Sequence, residues 1–162
     1  ILDVLRDMGA DITESNFRDE AEPVCDLTVK YSKLHGVEVG GAIIPRLIDE
    51  LPVIAVAAAF AEGETVIRDA QELKVKESNR IAAMVAELTK AGVDVEETDD
   101  GMIVHGGAKP HGASFEPYKD HRIAMRLAVL GLAAEGASRI DEPEVVAISY
   151  PDFFNTLERL GD

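Results

Sequence analysis

The sequence holds a single cysteine, Cys25, and no tryptophan in 162 residues. One thiol excludes an internal disulfide framework and any Cys-x-x-Cys metal pair, and it fits a reducing, cytoplasmic setting. Three of the histidines, His35, His105 and His111, fall in loops or at a strand end without ligand spacing, so neither a metal nor another cofactor is expected. No apolar run both avoids charge and reaches the roughly 18 residues of a membrane span. The longest, Pro52 to Ala61, is alanine-rich and reads as a buried helix. Neither GxxxxGK nor GxGxxG occurs, so Gly40-Gly41 and Gly106-Gly107 read as turns. Basic residues are scarce: 16 Lys and Arg stand against 31 Asp and Glu, a formal net charge of -15. That balance speaks against nucleic acid or an anionic membrane as partner. The chain starts Ile-Leu-Asp, without an initiator Met or a signal-like leader, which reads as an excised piece.

With 46% hydrophobic residues, the chain can build one compact domain or part of a larger one. Apolar residues at 1, 2, 4, 5 and 8 have helical spacing, and Gly9 stops that helix. Ala10 to Thr13 reads as a short strand, Ser15 to Pro23 as a polar loop, and Asp26 to Ser32 as a half-buried alternating strand. Gly36 to Gly41 reads as another short strand. Pro45 or Arg46 to Glu62 reads as one long helix, in which Pro52 either makes a kink or marks the true first turn, with Asp49 just ahead of it. Thr65 to Arg68 is expected to be a strand. Glu77 to Ala91 is expected to be a helix with Ile81, Met84, Val85 and Leu88 as its apolar stripe. Val93 to Glu97 and Met102 to His105 form a hairpin, Gly106 to Lys119 a loop, and Asp120 to Glu135 a third helix. Ser138 to Asp141 reads as a strand and Asp152 to Leu160 as a last short helix.

A repeat runs through this pattern. Ala61-Glu62-Gly63 and Ala134-Glu135-Gly136 each lead into a strand. Asp7 to Ile12 resembles Lys90 to Val95 and the chain end Arg159-Leu160-Gly161-Asp162. A helix ending at glycine and entering a strand signals a repeated supersecondary unit, present here about twice, over approximately 1–70 and 71–142, with a terminal helix over 151–162. Two such units rarely close a symmetric layer, which again points to a partial domain.

Two stretches concentrate the scarce cations. In Leu73 to Arg80, Lys76 and Arg80 are four apart and would share a helix face, with Glu77 beside them. In Asp120 to Met125, Asp120 can cap its helix, leaving His121 and Arg122 in the first turn. Helix starts attract anions, so both starts are expected to face one cleft, with Glu77 and Asp49 beside them for proton transfer. A global field of -15 repels anionic substrates, so a local cluster drawn from Lys74, Lys76, Arg80, His121, Arg122 and Arg126 must outweigh it. The bland alternative is a solvated first turn with i,i+4 pairs, a plain N-cap and a surface histidine. Arg126 is expected to reach solvent, as long helical side chains usually do.

Five segments in order, Ile48 to Pro52, Ala55 to Gly63, Leu73 to Arg80, Asp120 to Met125 and Ser149 to Phe154, make this chain resemble the enolpyruvyl transferase family, in its branch that uses shikimate 3-phosphate. The resemblance implies an α/β (α+β) fold of repeated βαβαββ units, three per domain in two similar domains, with helices buried and sheets outside. This chain would be a partial domain of such an inside-out barrel, and the missing N-terminal part would supply the rest of the site. The implied activity moves the enolpyruvyl group of phosphoenolpyruvate to the 5-hydroxyl of shikimate 3-phosphate and releases phosphate, by a cytoplasmic enzyme that is monomeric at full length. By the same resemblance Asp49 takes the hydroxyl proton and Glu77 serves the vinyl carbon. Lys76 lies at the shikimate phosphate, and Arg80, His121 and Arg122 hold the phosphate and carboxylate of phosphoenolpyruvate. Ile148 stands where many members carry a lysine, Asn79 where aspartate is commoner, and Arg126 where a small or apolar residue is usual. The sister activity on UDP-N-acetylglucosamine lacks the Lys76-Glu77-Ser78 and Asp120-His121-Arg122 strings. A non-catalytic module is the remaining alternative.

Overall fold

A computed structural model describes residues 1–19 and 21–161. Glu20, within the stretch expected to be a loop, and Asp162, last of the repeated chain-end motif, lie outside the described residues. The helices are α1 (Leu2–Asp7), α2 (Ile44–Leu47), α3 (Leu51–Phe60), α4 (Arg80–Lys90), α5 (His121–Ala133) and α6 (Phe153–Gly161). The strands are β1 (Asp11–Asp19), β2 (Pro23–Lys30), β3 (Glu38–Val39), β4 (Glu64–Ile67), β5 (Asp94–Glu97), β6 (Met102–His105), β7 (Ser114–Phe115) and β8 (Arg139–Ile140). β1 and β2 form an antiparallel pair, and β7 and β8 a parallel pair. A third sheet is ordered β3-β4-β6-β5, and in it only the β3–β4 pairing is parallel.

α3 forms the centre of the interior. α3 has no polar face: Leu51, Pro52, Ile54, Ala55, Val56, Ala58 and Ala59 are all buried, as expected of a helix enclosed on every side. Its alanines let α4 and α5 pack closely against it. The stripe of α4 is realised, with Ile81, Met84 and Leu88 buried and Val85 partly so. The largest hydrophobic cluster draws on α1, α3, α4, α5 and the inner faces of β4 and β6.

Backbone hydrogen bonds recur along the chain. His35 N–H donates to Met8 O at 2.8 Å, and His111 N–H to Ala91 O at 2.9 Å. Gly36 N–H donates to Glu62 O, and Gly112 N–H to Glu135 O, both at 2.8 Å. Each imidazole rests on a helix-ending glycine: Gly9 has φ +94° and Gly92 φ +82°. Only glycine takes this left-handed exit without strain. A Cβ on Gly92 would also stand 3.1 Å from His111.

Several elements differ from the sequence expectation. The polar stretch from Ser15 is not a loop, because β1 runs to Asp19 and β2 begins at Pro23. The antiparallel ladder satisfies its backbone whatever the side chains, with a register shift between Ser15 and Arg18 where Asn16 adopts φ +51°. β2 is mostly exposed rather than half-buried, with Val24, Leu27 and Val29 all open to solvent. The long helix expected to Glu62 is two helices broken at 48–50, and Pro52 sits in the first turn of α3. α4 starts at Arg80, not Glu77, because Asn79 caps it by accepting from Ala82 N–H at 3.1 Å. The expected loop 106–119 contains β7, and a 3-10 turn over Pro143–Ile148 was not legible.

Candidate functional site

The site is built where α4 and α5 begin. Asp120 is the N-cap of α5 and accepts from Arg122 N–H at 2.9 Å. The same carboxylate reaches across to the first residue of α4: Arg80 Nε donates to Asp120 Oδ2 at 2.8 Å and Ser78 Oγ to the same oxygen at 3.1 Å. One fully buried carboxylate (0% exposed) and one guanidinium at 1% thus lock two helix starts together. A buried pair of this kind needs nearly every donor and acceptor satisfied, and this one has that. Burial pushes the Asp120 carboxyl up, but the bonds and charge of Arg80, with Arg122 N–H and the Ser78 hydroxyl, outweigh it and hold the group below its ordinary value. Burial likewise works against Arg80, and Asp120, Glu77 and Asp49 together raise its pKa.

Arg80 spreads its other nitrogens over the two candidate proton-transfer groups. Nη1 donates to Asp49 Oδ1 at 3.1 Å and Nη2 to Glu77 Oε2 at 2.5 Å. Both carboxylates keep a solvent face, at 37% and 51% exposure. Arg122 Nη2 takes the other oxygen of Asp49 at 2.9 Å. A third arginine arrives from the next turn of α5: Arg126 Nη2 donates to the main-chain carbonyl of Asp49 at 3.0 Å. Asp49 therefore sits in the 48–50 break between α2 and α3, contacted by three guanidinium groups.

The loop before Asp120 is held under strain. Tyr118 and Lys119 both adopt positive φ, +54° and +58°, at roughly 1 kcal/mol or more each for residues with a Cβ. Glu87, fully buried on α4, pins them. Its carboxylate accepts from Tyr118 Oη at 2.9 Å, Glu116 N–H at 3.1 Å and Lys90 Nζ at 2.7 Å. Burial and the bond to Glu87 push the Tyr118 phenol up to about 12.

Of the sequence-predicted residues, Asp49, Glu77, Arg80 and Arg122 are brought into one hydrogen-bonded cluster. Lys76 is not part of it: its ammonium pairs with Glu72. Lys76 also precedes α4, so the expectation that it shares a helix face with Arg80 fails. His121 is buried rather than on the surface, and among the described residues no hydrogen bond joins it to the others. Arg80, expected to hold substrate anions in the cleft, is buried at 1% exposure with its donors given to carboxylates. Sequence reasoning missed the Arg80–Asp120 pair, the Glu87 clamp and the inward turn of Arg126. An Asp at an N-cap position needs no further partner, so only Glu87, an acid three residues from Lys90 yet next to the apolar stripe of α4, offered a hint. A groove of about 570 Å³ between α5, β8 and α6 is lined by Leu127, Leu132, Ile140 and Phe154 among others, and none of the candidate residues lines it. No described helix is long and apolar enough to cross a membrane.

A family model described as EPSP synthase (3-phosphoshikimate 1-carboxyvinyltransferase) matches residues 1–157. A 3-phosphoshikimate 1-carboxyvinyltransferase of Thermoanaerobacter sp. (strain X514) is 57% identical over 161 residues, covering 99% of this chain and 38% of that protein. One from Roseiflexus castenholzii is 56% identical over 162 residues, with the same coverage of 99% and 38%. Among solved structures, EPSP synthase from Acinetobacter baumannii superposes with a TM-score of 0.92 at 40% identity, over 98% of this chain and 38% of that one. The enolpyruvyl transferase NikO from Streptomyces tendae gives 0.72 at 25% identity, over 99% of this chain and 34% of that one. The chain thus spans somewhat over a third of the length of the relatives it matches.

Proposed function

Since the chain belongs to the EPSP synthase family, we propose that it forms the C-terminal part of an enzyme that transfers the enolpyruvyl group of phosphoenolpyruvate to the 5-hydroxyl of shikimate 3-phosphate, releasing phosphate. In this reading the chain holds about two repeat units, over 1–70 and 71–142, with a terminal helix over 151–162. The recurring hydrogen bonds from His35 and His111 support that division. The missing N-terminal part supplies the other wall of the site, and the whole protein acts as a cytoplasmic monomer without a cofactor.

The observation that carries the reading is that two half-exposed carboxylates, Asp49 and Glu77, are bonded to different nitrogens of one buried guanidinium. Addition of an alcohol to an enol phosphate requires a base at the alcohol and an acid at the vinyl carbon, both in fixed places. Asp49 accepts the proton of the 5-hydroxyl as the hydroxyl oxygen bonds to C2 of phosphoenolpyruvate, while Glu77, which enters this step protonated, delivers that proton to C3. The result is a tetrahedral ketal phosphate. Loss of a proton from C3 to Glu77, with cleavage of the C2–O bond to phosphate, regenerates the double bond on the new ether and the protonated Glu77, and the proton held by Asp49 leaves with the phosphate. Buried Arg80 holds the two acids apart and in register, a preorganised arrangement.

Arg122 is the cation best placed to meet phosphoenolpyruvate, because its fork already binds a carboxylate and exchanges Asp49 for a substrate group without leaving the site. His121 lies beside it in the first turn of α5. Arg80 reaches a substrate anion only by exchanging Glu77 or Asp49 for it, and Lys76 reaches the shikimate phosphate by releasing Glu72. The test is phosphate release by the full-length protein from phosphoenolpyruvate with shikimate 3-phosphate, against UDP-N-acetylglucosamine as acceptor. Turnover with the first acceptor alone is expected. Turnover with the second instead, or with neither, overturns the reading.

A further inference from the structure

Arg126 lies one turn beyond Arg122 on α5 and, against the sequence expectation, turns inward. Its Nη2 holds the Asp49 carbonyl at 3.0 Å, and its Nε is buried with no hydrogen-bond partner among the described residues. The carbonyl is free for a reason written in the chain. In a tight turn it would accept from residue 52, but that residue is Pro52, which has no N–H. In a continuing α-helix it would accept from Val53, whose N–H goes to Glu50 O at 3.0 Å instead. Arg126 supplies the donor that Pro52 removes. Burial and the neighbouring Arg122 guanidinium depress the Arg126 pKa. A cation is thus kept in an unfavourable place, which a surface-seeking arginine would avoid.

We propose that Arg126 is a positioning residue for Asp49: by gripping the main chain at the α2–α3 break, it sets the direction in which the Asp49 carboxylate faces Arg80, Arg122 and the substrate hydroxyl. The inference rests on the reading of Asp49 as proton acceptor. Arg126 itself touches the Asp49 main chain, not its carboxylate, so its effect on turnover passes through Asp49.

The test uses the full-length protein. R126M removes both bond and charge and ends two bonds short of the guanidinium nitrogen. R126K keeps the charge but ends one bond short of the carbonyl. Both are expected to lower kcat by about tenfold to a hundredfold, the scale of an ångström-level misplacement of a reacting group, with KM for phosphoenolpyruvate changing far less. Combined with D49N, R126M should add little further loss, since the two changes act on one group. Amide hydrogen exchange at Glu50, Val53 and Ile54 should quicken about tenfold or more in both variants as the break loosens.

A wild-type kcat in R126K overturns the proposal, since charge alone would then suffice. So does a rise in KM with kcat intact, which would make Arg126 a direct anion ligand, and so do losses that multiply with D49N. If R126M fails to fold, R126K decides. If the wild-type protein shows no turnover, the functional reading fails by itself. The exchange result then decides the grip separately: faster exchange upholds it and unchanged exchange overturns it.

Discussion

Replacing Asp120 by Asn keeps the volume, keeps a good N-cap and removes one negative charge. Asn caps a helix about as well as Asp, so the capping contribution should survive. The charge is another matter. Asp120 accepts four hydrogen bonds, from Arg80 Nε, Arg80 Nη2 (3.5 Å), Ser78 Oγ and Arg122 N–H. An amide has one acceptor oxygen, and its NH₂ would face donors. Breaking a buried ion pair from one side costs about 3–5 kcal/mol. Arg80 retains Asp49 and Glu77, both partly exposed, so the lower end, about 3 kcal/mol, is expected. D120A should lose roughly 1 kcal/mol more, the worth of the cap. Urea unfolding of the full-length protein, read at the transition of the domain that carries this chain, measures both. The pH dependence adds a second arm. A carboxyl held below its ordinary value of 3.8 stabilises the fold above that value, and the stabilisation is lost as pH falls through the lowered folded value. The gap between wild type and D120N should therefore be full near neutrality and close on acidification. A D120N loss below about 1 kcal/mol, the range of a surface pair, or a gap independent of acid, would refute the view that this pair locks the two helix starts.

Three further outcomes are expected. E77Q should depress kcat far more than it weakens either substrate's binding, as proton transfer requires; equal losses in both would remove Glu77 from that role. R122A should raise KM for phosphoenolpyruvate chiefly, seen by varying each substrate in turn, and a rise for shikimate 3-phosphate instead would reverse the assignment. Y118F should cost about 1.5–3 kcal/mol, the range for a hydrogen bond to a charged group, and should also change the alkaline side. A phenol raised from 10.0 to about 12 stabilises the fold below its unfolded value, and that stabilisation disappears as pH rises from about 10 to 12. Chemical unfolding across that range should show wild type losing stability relative to Y118F.

Much of the local structure was legible from residue order alone. Glycines at 9 and 92 end helices because they accept a positive φ, whereas α5 ends earlier than Gly136, where Ala134 turns extended. The stripe of Ile81, Met84 and Leu88 identifies the buried face of α4, and Asp120 declares the start of α5. Pro52 left two options open, and its place in the first turn of α3 settles them. The polar run from Ser15 misled because polarity reports exposure, not the absence of a strand: ladder partners 4 to 11 residues away satisfy the backbone equally well. The start of α4 was set too early because a cap is a matter of side-chain geometry, and Asn79 rather than Glu77 has the oxygen in reach.

What the chain determines by itself is thus the placing of most helices, their glycine ends and the two short stretches where scarce cations gather, since spacing, capping and backbone freedom act within a few residues. What only the tertiary fold decides is which of those groups meet. Arg80 binds Asp120 across 40 positions and Asp49 across 31, and Arg126 reaches Asp49 across 77. Such contacts depend on how α3, α4 and α5 pack, and periodicity within one helix carries no information about the face its neighbour presents.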